Sequence, residues 1–436
     1  MERKNLIFIE CGTTMSSHIN TGIQRVVRNI VEQAGSVSGE LGMHCYFVEF
    51  ANNGFLELSD QSVAATSKVK LFLMAIDQII GAIAPKRIYY GLRNRIKSWV
   101  KRLTRRNAGR DIYQILDSWQ QKPKDKSEQI PDRPILLLLD STWDTKMWEA
   151  VDRFRSKGGH VCAVLYDLIP FTHPDTIAES TRIAHTQWWA EAPLHVDSIM
   201  CISRSVRDDY LAWQERQKLA RKLMPEKVGY FYLGAELKQN DPVIQILSSS
   251  VPTYLVVGSL EPRKNHALIL DAFEQLWQQG HEVNLAIVGA FGWKSEKLLT
   301  RIQNHPEHGH RLFLIRDASD RDLTALYDKS EALIIASLAE GFGLPIVEAF
   351  QRGTKVICSD IPVFREIAGD QAVYFDLASP ASLASRVTES AESLGRDTTQ
   401  QRNVTMKWIT WRESTVQLLS RLQGVSHYSH QQDETR

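Results

Sequence analysis

The sequence has few cysteines, little net charge and no long apolar run. Five scattered cysteines without a CxxC pair argue against a structural zinc site or a disulfide framework, and they favour a reducing cytoplasm. A formal net charge of +1 gives no general attraction to nucleic acid or to an anionic membrane. The start, MERKNLIFIECG, holds too short an apolar run for a signal peptide, and no later run is long enough to span a bilayer.

Short apolar runs alternate instead with helix-like segments over 436 residues, a length that favours two domains. The first series of runs is NLIFIE, PILLLLD, HVCAVLYD and SIMCIS, and the second is TYLVVGSL, VNLAIVGA, RLFLI, ALIIAS and KVICSD. This order predicts an α/β protein with two facing, doubly wound Rossmann-like domains and a ligand cleft between them. The expected boundaries are 1–245, 246–412, and 413–436 for a C-terminal helix with a frayed tail, with an interdomain linker around 238–250.

A basic segment interrupts the first domain as part of an insertion over about 69–125. Residues 86–110 contain ten Lys or Arg residues and no acid, with apolar residues at helical spacing. The pattern indicates either an interfacial helix on an anionic membrane or a basic helix packed on its own domain. Nucleic-acid binding is a further hypothesis, although the segment contains no recognisable reader motif.

The stretch SLAEGFGLPIVEAF, residues 337–350, places Glu340 and Glu348 around a glycine-rich turn. A helix starting at Pro345 would present free backbone N–H groups to a phosphate, and the glycines would let that phosphate approach closely. Carboxylates do not bind phosphate but do accept hydrogen bonds from hydroxyl groups, so the pattern favours a nucleotide sugar. The residues alone leave open a plain helix start flanked by two unrelated surface acids.

A second motif, VVGSLEPRKNH, favours the functional interpretation. Its apolar strand ends at Gly258 and is followed by Arg263 and Lys264 just before a helix. Adjacent cations at the carboxyl end of a strand are well placed to neutralise a diphosphate.

With these motifs the chain resembles retaining glycosyltransferases of the GT-B fold, specifically family four. The hallmark of that family is Glu, seven residues, Glu, and Glu340 and Glu348 with GFGLP between them fit it. Further similarity lies in YDLIPFTHPD, CISRSVRDDY, FYLGAE, CSDIPVFREIAGDQAVYFD and KWITWRES. The resemblance covers most of the chain and is weakest from about residue 54 to 133.

The resemblance implies roles for the donor-side residues. Glu348 is expected to accept the ribose hydroxyls, and Glu340 is expected to contact the hydroxyls of the donor sugar. Lys264 corresponds to the diphosphate lysine of the family. Ser259 stands where the family often has an arginine, and Arg263 is the candidate for the missing charge. Backbone N–H groups of Gly343 and Leu344 would complete the diphosphate site.

The resemblance also implies roles in the first domain. Thr21-Gly22-Ile23 matches the glycine loop that approaches the donor phosphates and the acceptor. Asp167 matches the acid of a His-Asp pair, but Tyr166 replaces the histidine. His173 is an alternative partner, although a structural histidine is the simpler interpretation.

No metal or other cofactor is expected. Asp320-Arg321-Asp322 has the Asp-x-Asp form of some metal-dependent glycosyltransferases, but Ser319 and Asp322 together predict a helix capping box.

The expected function is therefore retaining, metal-independent transfer of a hexose from a nucleotide sugar to a saccharide or lipid-linked saccharide during bacterial polysaccharide synthesis. The stretches VGSLEPRKN and TGIQRVVRNI resemble enzymes of that kind and favour GDP-mannose as donor. The expected location is the cytoplasm or the inner face of the membrane, without a nucleic-acid partner. A nucleotide-sugar epimerase of the same fold is the alternative, and an acceptor requirement for nucleotide release distinguishes the two.

Overall fold

The computed structural model of the protein describes residues 5–17, 22–58, 109–121, 133–219, 221–236, 251–316, 318–393 and 408–433. The basic stretch of the 86–110 segment, Thr21 and the expected linker lie outside these ranges. No helix within them combines the length and the hydropathy that a membrane span requires.

The first domain is built on a seven-stranded sheet with strand order β3-β2-β1-β4-β5-β6-β7. Its strands are β1 Asn5–Glu10, β2 Met43–Ala51, β3 Gly54–Glu57, β4 Ile135–Leu138, β5 His160–Leu165, β6 Ser198–Cys201 and β7 Val228–Tyr230. Its helices are α1 Gly12–Met15, α2 Gly22–Glu40, α3 Ile112–Gln120, α4 Trp148–Ser156, α5 Ile169–Thr172, α6 Glu179–His195 and α7 Arg204–Arg216. The strands pair in parallel except β3, which lies antiparallel to β2 at the edge.

The second domain has a six-stranded parallel sheet with order β10-β9-β8-β11-β12-β13. Its strands are β8 Thr253–Val257, β9 Asn284–Val288, β10 Leu312–Ile315, β11 Ala332–Ile335, β12 Lys355–Ser359 and β13 Val373–Phe375. Its helices are α8 His266–Gln278, α9 Glu296–Gln303, α10 Asp320–Lys329, α11 Leu344–Gln351, α12 Pro362–Ala368 and α13 Pro380–Ser393. Central strands β8, β9 and β11 are almost entirely buried, because helices cover both faces of a parallel sheet.

In each sheet the order in which successive strands are added reverses at one point. This switch point lies between β1 and β4 in the first sheet and between β8 and β11 in the second. Ligands of doubly wound proteins bind at the carboxyl ends of the strands beside such a switch point. The two-domain α/β architecture predicted from the sequence is therefore confirmed, and the order of the strands locates the cleft.

The two domains contact each other directly. Ser203, the N-cap of α7, donates its hydroxyl hydrogen to the backbone oxygen of Gly341 at 2.8 Å. The Glu366 carboxylate on α12 accepts the backbone N–H groups of Arg204 and Ser205, each at 2.7 Å. The last helix, α14 Trp411–Asp433, packs against α2 of the first domain. The last described helix therefore packs against the first domain.

Candidate active site

Glu340, Arg263 and Lys264 form one ionic cluster at the switch point of the second sheet. Glu340 Oε2 lies 2.8 Å from Arg263 Nη1, and Glu340 Oε1 lies 2.5 Å from Lys264 Nζ. The hydroxyl of Ser337 also donates to Glu340 Oε1 at 2.8 Å. The Glu340 side chain is only 11% exposed, so these ion pairs are shielded from most solvent.

Two loops bring the cluster together. The loop after β8 carries the cations and the loop after β11 carries the carboxylate. They bond to each other through Leu338 N to Arg263 O and through Arg263 Nη1 to Ala339 O, both at 2.9 Å. The aliphatic stem of Lys264 lies against Gly258, where an added Cβ would approach Lys264 Cε to 3.4 Å.

The cations keep Glu340 ionised. Burial opposes the ionised form, but Arg263 and Lys264 outweigh it and lower the pKa of the Glu340 carboxyl to about 2. Arg263 is charged at neutral pH, whereas burial lowers the pKa of Lys264 and the Glu340 carboxylate opposes that effect. The cluster can bind a diphosphate through its cations and sugar hydroxyls through its carboxylate.

Asp167 reaches the same cluster from the first domain, just after β5. Burial raises the pKa of Asp167, and the nearby Arg263 opposes that effect, with weaker contributions from Glu340 and Lys264. Its Oδ1 accepts the backbone N–H of Ile169 at 3.0 Å. The structure therefore brings Asp167, Arg263, Lys264 and Glu340 into one cleft, although Asp167 is 96 residues from Arg263 and 173 residues from Glu340 in the sequence.

Tyr166, which stands where the family has the histidine of the His-Asp pair, is hydrogen-bonded inside the first domain. Its hydroxyl donates to the backbone oxygen of Leu139 at 2.7 Å, and burial raises its pKa far above the ordinary value. His173 ends α5, with Nδ1 at 2.9 Å from the hydroxyl oxygen of its neighbour Thr172. The tyrosine hydroxyl thus has a structural partner inside the domain.

Glu348 lies on α11 and is almost completely buried, with 1% of its side chain exposed. Its Oε1 is bonded to Arg25 of α2 in the other domain, and its Oε2 accepts the Tyr327 hydroxyl at 2.9 Å. Arg25 sits three residues after Gly22, the exposed first residue of α2. The sequence analysis did not identify Arg25 as part of the site.

The glycines between the two glutamates have protein neighbours of their own. A Cβ at Gly341 would lie 2.0 Å from the backbone oxygen of Tyr166, so this glycine permits the two domains to touch. Gly343 has φ of +99°, and its Cβ would lie 2.9 Å from Phe364. The helix begins at Leu344, with Pro345 second rather than first. Close packing therefore accounts for both glycines without requiring a ligand.

Two further predicted positions have local partners. The Ser259 hydroxyl donates to Glu261 Oε1 at 2.8 Å. Asp322 and Ser319 form the predicted capping box at the start of α10, with Asp322 N donating to Ser319 Oγ at 3.2 Å and Ser319 N to Asp322 Oδ2 at 3.0 Å. The capping prediction is confirmed, so the Asp-x-Asp pattern has a structural explanation.

The chain is similar to known proteins in both sequence and fold. Residues 238–401 match the family described as glycosyl transferases group 1. The chain contains a glycosyltransferase group 1 domain. That domain includes the cluster of Glu340, Arg263 and Lys264, as well as Glu348.

The chain is also similar to several curated mannosyltransferases. The serotype-specific mannosyltransferase WbdA of Escherichia coli is 36% identical over 282 residues, which are 62% of this chain and 34% of that protein. The O-antigen chain mannosyltransferase B of Escherichia coli is 28% identical over 183 residues, or 41% of this chain and 48% of that protein. The chain thus spans about a third to a half of the length of these relatives.

A solved glycosyltransferase from Rickettsia africae shares the fold of the whole chain. The two superpose with a TM-score of 0.57 over 97% of this chain and 98% of that one, at 12% sequence identity. The fold is GT-B, as the sequence predicted.

Proposed function

We propose that the protein is a retaining, metal-independent glycosyltransferase that moves a hexose from a nucleotide sugar to a saccharide or lipid-linked saccharide in polysaccharide synthesis. The observation that carries the proposal is the buried cluster of Glu340, Arg263 and Lys264 at the switch point, with Asp167 facing it from the other domain. The glycosyltransferase group 1 domain supports the same class, and the mannosyltransferase relatives support mannose as the hexose. We propose GDP-mannose as the donor.

Each part of the cluster has a role in the proposed reaction. Arg263 and Lys264 stabilise the negative charge that develops on the diphosphate as the bond to the anomeric carbon breaks. Glu340 accepts hydrogen bonds from the sugar hydroxyls and holds the anomeric carbon near the acceptor. The acceptor hydroxyl forms the new bond to that carbon, and its proton passes to the departing phosphate oxygen. Contact between the domains excludes water that would otherwise hydrolyse the donor.

An acceptor-dependent assay tests the activity. The protein is incubated with GDP-mannose, UDP-glucose or dTDP-glucose, with and without extracted lipid-linked oligosaccharide, and nucleoside diphosphate is measured. Release that requires the acceptor supports transfer, whereas conversion of the sugar without acceptor supports the epimerase alternative. Proton NMR of the product then reports whether the anomeric configuration is retained.

The same assay in EDTA tests metal independence. We expect full activity, because Arg263, Lys264 and the N-terminus of α11 supply the positive charge that a metal would otherwise contribute. Loss of activity that Mn²⁺ restores would contradict metal independence and leave the transferase assignment intact.

Membrane association through residues 86–110 is part of the proposal, since a lipid-linked acceptor lies at the inner leaflet. Ten cations without an acid favour an anionic surface, at about 1 kcal/mol for each engaged side chain. We expect co-sedimentation with phosphatidylglycerol vesicles that falls with salt and is lost in the triple variant R102E/R105E/R106E. Equal sedimentation of that variant and the wild type would show that the segment has another role.

A further inference from the structure

Arg25 and Glu348 form an ion pair that joins the two domains across the cleft. Glu348 is buried and uses both oxygens, one for Arg25 and one for the Tyr327 hydroxyl. The Arg25 side chain remains 23% exposed, so the cation has access to solvent while the carboxylate does not. Because Glu348 is 1% exposed, a ribose hydroxyl can reach its carboxylate only if a neighbouring side chain such as Arg25 moves aside.

The cations near the proposed donor site already have carboxylate partners. Arg25 is paired with Glu348, Arg263 and Lys264 are paired with Glu340, and Glu261 lies 3.8 Å from Arg263. A diphosphate adds further negative charge to these pairs. Its phosphates need cations that are released from carboxylates, and those carboxylates then need hydroxyl donors in place of the cations. A nucleotide sugar carries both kinds of group.

The position of the ion pair suits such an exchange. Glu348 lies four residues after Leu344, so it is about 6 Å along the axis from the N-terminus of α11. That terminus favours an anion, because its free N–H groups and the helix dipole present positive potential there. The arginine side chain is long and flexible enough to cover this distance while α2 stays in place. The Glu348 carboxylate raises the pKa of Arg25, whose guanidinium is charged at neutral pH with or without this partner.

We propose that Arg25 is a donor-binding residue of the first domain, which stays paired with Glu348 until the donor binds. The ribose of the incoming nucleotide displaces the guanidinium from the carboxylate, and the released guanidinium binds the diphosphate. This inference rests on the proposed function, since it requires a nucleoside diphosphate in the cleft. It assigns to the first domain a phosphate contact in addition to those of Arg263 and Lys264.

The exchange has opposite consequences for ligands with and without phosphate. A nucleoside competes with Arg25 for Glu348 and gains nothing from the released cation, so removal of Arg25 strengthens its binding. A nucleoside diphosphate loses a cation when Arg25 is removed, so its binding weakens. A purely structural bridge would not produce changes of opposite sign.

NMR titration tests this with three matched pairs of probes: GDP and guanosine, UDP and uridine, and dTDP and thymidine. In Arg25→Ala we expect the diphosphate that binds the wild type best to bind roughly ten-fold more weakly, the loss expected for a charged hydrogen bond. The matching nucleoside should bind to Arg25→Ala at least about three-fold more tightly than to wild type, because no ion pair competes for Glu348.

Two further variants keep the result interpretable. Arg25→Gln retains an N–H donor for Glu348 and serves if the alanine variant unfolds, with the same signs expected. Arg412→Ala is the matched control, because it removes an arginine paired with Glu40, the last residue of α2, about 22 Å along the helix from Arg25. It should leave both affinities unchanged.

The outcomes separate the two proposals. If the wild type binds none of the three diphosphates, the proposed function fails and the role of Arg25 fails with it. If the wild type binds one of them and removal of Arg25 changes diphosphate and nucleoside affinity in the same direction, or changes neither, the proposed function stands and the role of Arg25 is wrong.

Discussion

Glu10 ends β1 beside the switch point of the first sheet and carries a buried carboxyl group. Its Oε1 accepts from Gly12 N and from the Thr142 hydroxyl, both at 3.3 Å, while its Oε2 has no hydrogen-bond partner among the described residues. Burial raises the pKa of Glu10 to about 8, and the neighbouring Asp140 adds to the rise. The group therefore folds in its neutral form at neutral pH.

A raised carboxyl pKa has a defined effect on stability. Below the ordinary pKa of 4.5, Glu10 is protonated in both the folded and the unfolded chain, and its contribution is fully present. Between 4.5 and about 8 the unfolded chain ionises while the folded chain holds its proton, so the contribution is lost as pH rises.

Glu10→Gln should remove this pH dependence, since the amide stays neutral. Relative to the variant, wild-type unfolding free energy should fall by about 1.4 kcal/mol for each pH unit within that window. Urea denaturation at pH 5, 6 and 7 measures the difference. The exposed Glu32→Gln serves as control, and a constant difference between Glu10→Gln and wild type would contradict the buried neutral carboxyl.

Glu340→Gln should separate binding from turnover. Loss of the charge leaves Arg263 and Lys264 without their shared counter-ion, so nucleoside diphosphate should bind at least as tightly as to wild type. Turnover should fall about ten-fold or more, because a charged acceptor for the sugar hydroxyls is missing in the transition state. Calorimetry and steady-state rates measure the two effects, and unchanged kcat would refute the sugar contact.

At the scale of single elements, α10 shows how a local signal resolves an ambiguous motif. Its capping box satisfies free N–H groups at the helix start and uses Ser319 and Asp322 for that purpose. Ser319→Ala should lower the unfolding free energy by about 1 kcal/mol without changing kcat. Ser319→Thr keeps the cap and should lie within a few tenths of wild type. If Ser319→Ala is fully folded and still loses activity, this segment has a catalytic role.

The elements that the sequence predicts are those with continuous apolar runs. Strands β1, β4, β5, β6 and β8–β12 were predicted, and all of them except the edge strand β10 are largely buried on both faces. Strands β2, β3, β7 and β13 were missed. They lie at or near sheet edges, where partial exposure breaks the apolar run, as the burial of Met43–Ala51 illustrates.

The site residues divide in the same way. Glu340, Arg263 and Lys264 belong to local motifs beside strand ends, which a sequence pattern can reveal. Arg25 does not, because its partner Glu348 lies 323 residues away and the pairing depends on how two domains meet. The glycines of residues 341–343 were predicted for a ligand, whereas their immediate neighbours are Tyr166 and Phe364.

At the scale of the whole molecule, a helix that follows the second domain in the sequence packs on the first domain. The start of α14 crosses back to the first domain, where Ser414 donates to the backbone oxygen of Tyr232 at 2.7 Å and Leu418, Leu419 and Leu422 are fully buried. The sequence placed this helix in a separate C-terminal piece, since a helical period does not indicate which domain covers its apolar side.

Glu366 provides the clearest contact across the cleft that does not belong to the proposed donor site. Its carboxylate accepts two backbone N–H groups at the start of α7, where the helix dipole also favours a negative charge. Hydrogen bonds to a charged group contribute about 1.5–3 kcal/mol each. Without this carboxylate, the two N–H groups would have to form hydrogen bonds with water. The contact therefore favours the closed arrangement of the two domains.

Glu366→Ala should shift the protein toward an open arrangement. Hydrogen exchange at residues 204–206 should accelerate, and the radius of gyration from small-angle X-ray scattering should increase. Glu389→Ala is the control, because this exposed glutamate pairs with Arg386 on its own helix and makes no contact across the cleft. Addition of the nucleoside diphosphate that binds best should restore the wild-type radius, since a ligand that contacts both domains favours the closed state. Faster exchange without a change in radius would mean that Glu366 only caps α7, and that other contacts hold the domains together.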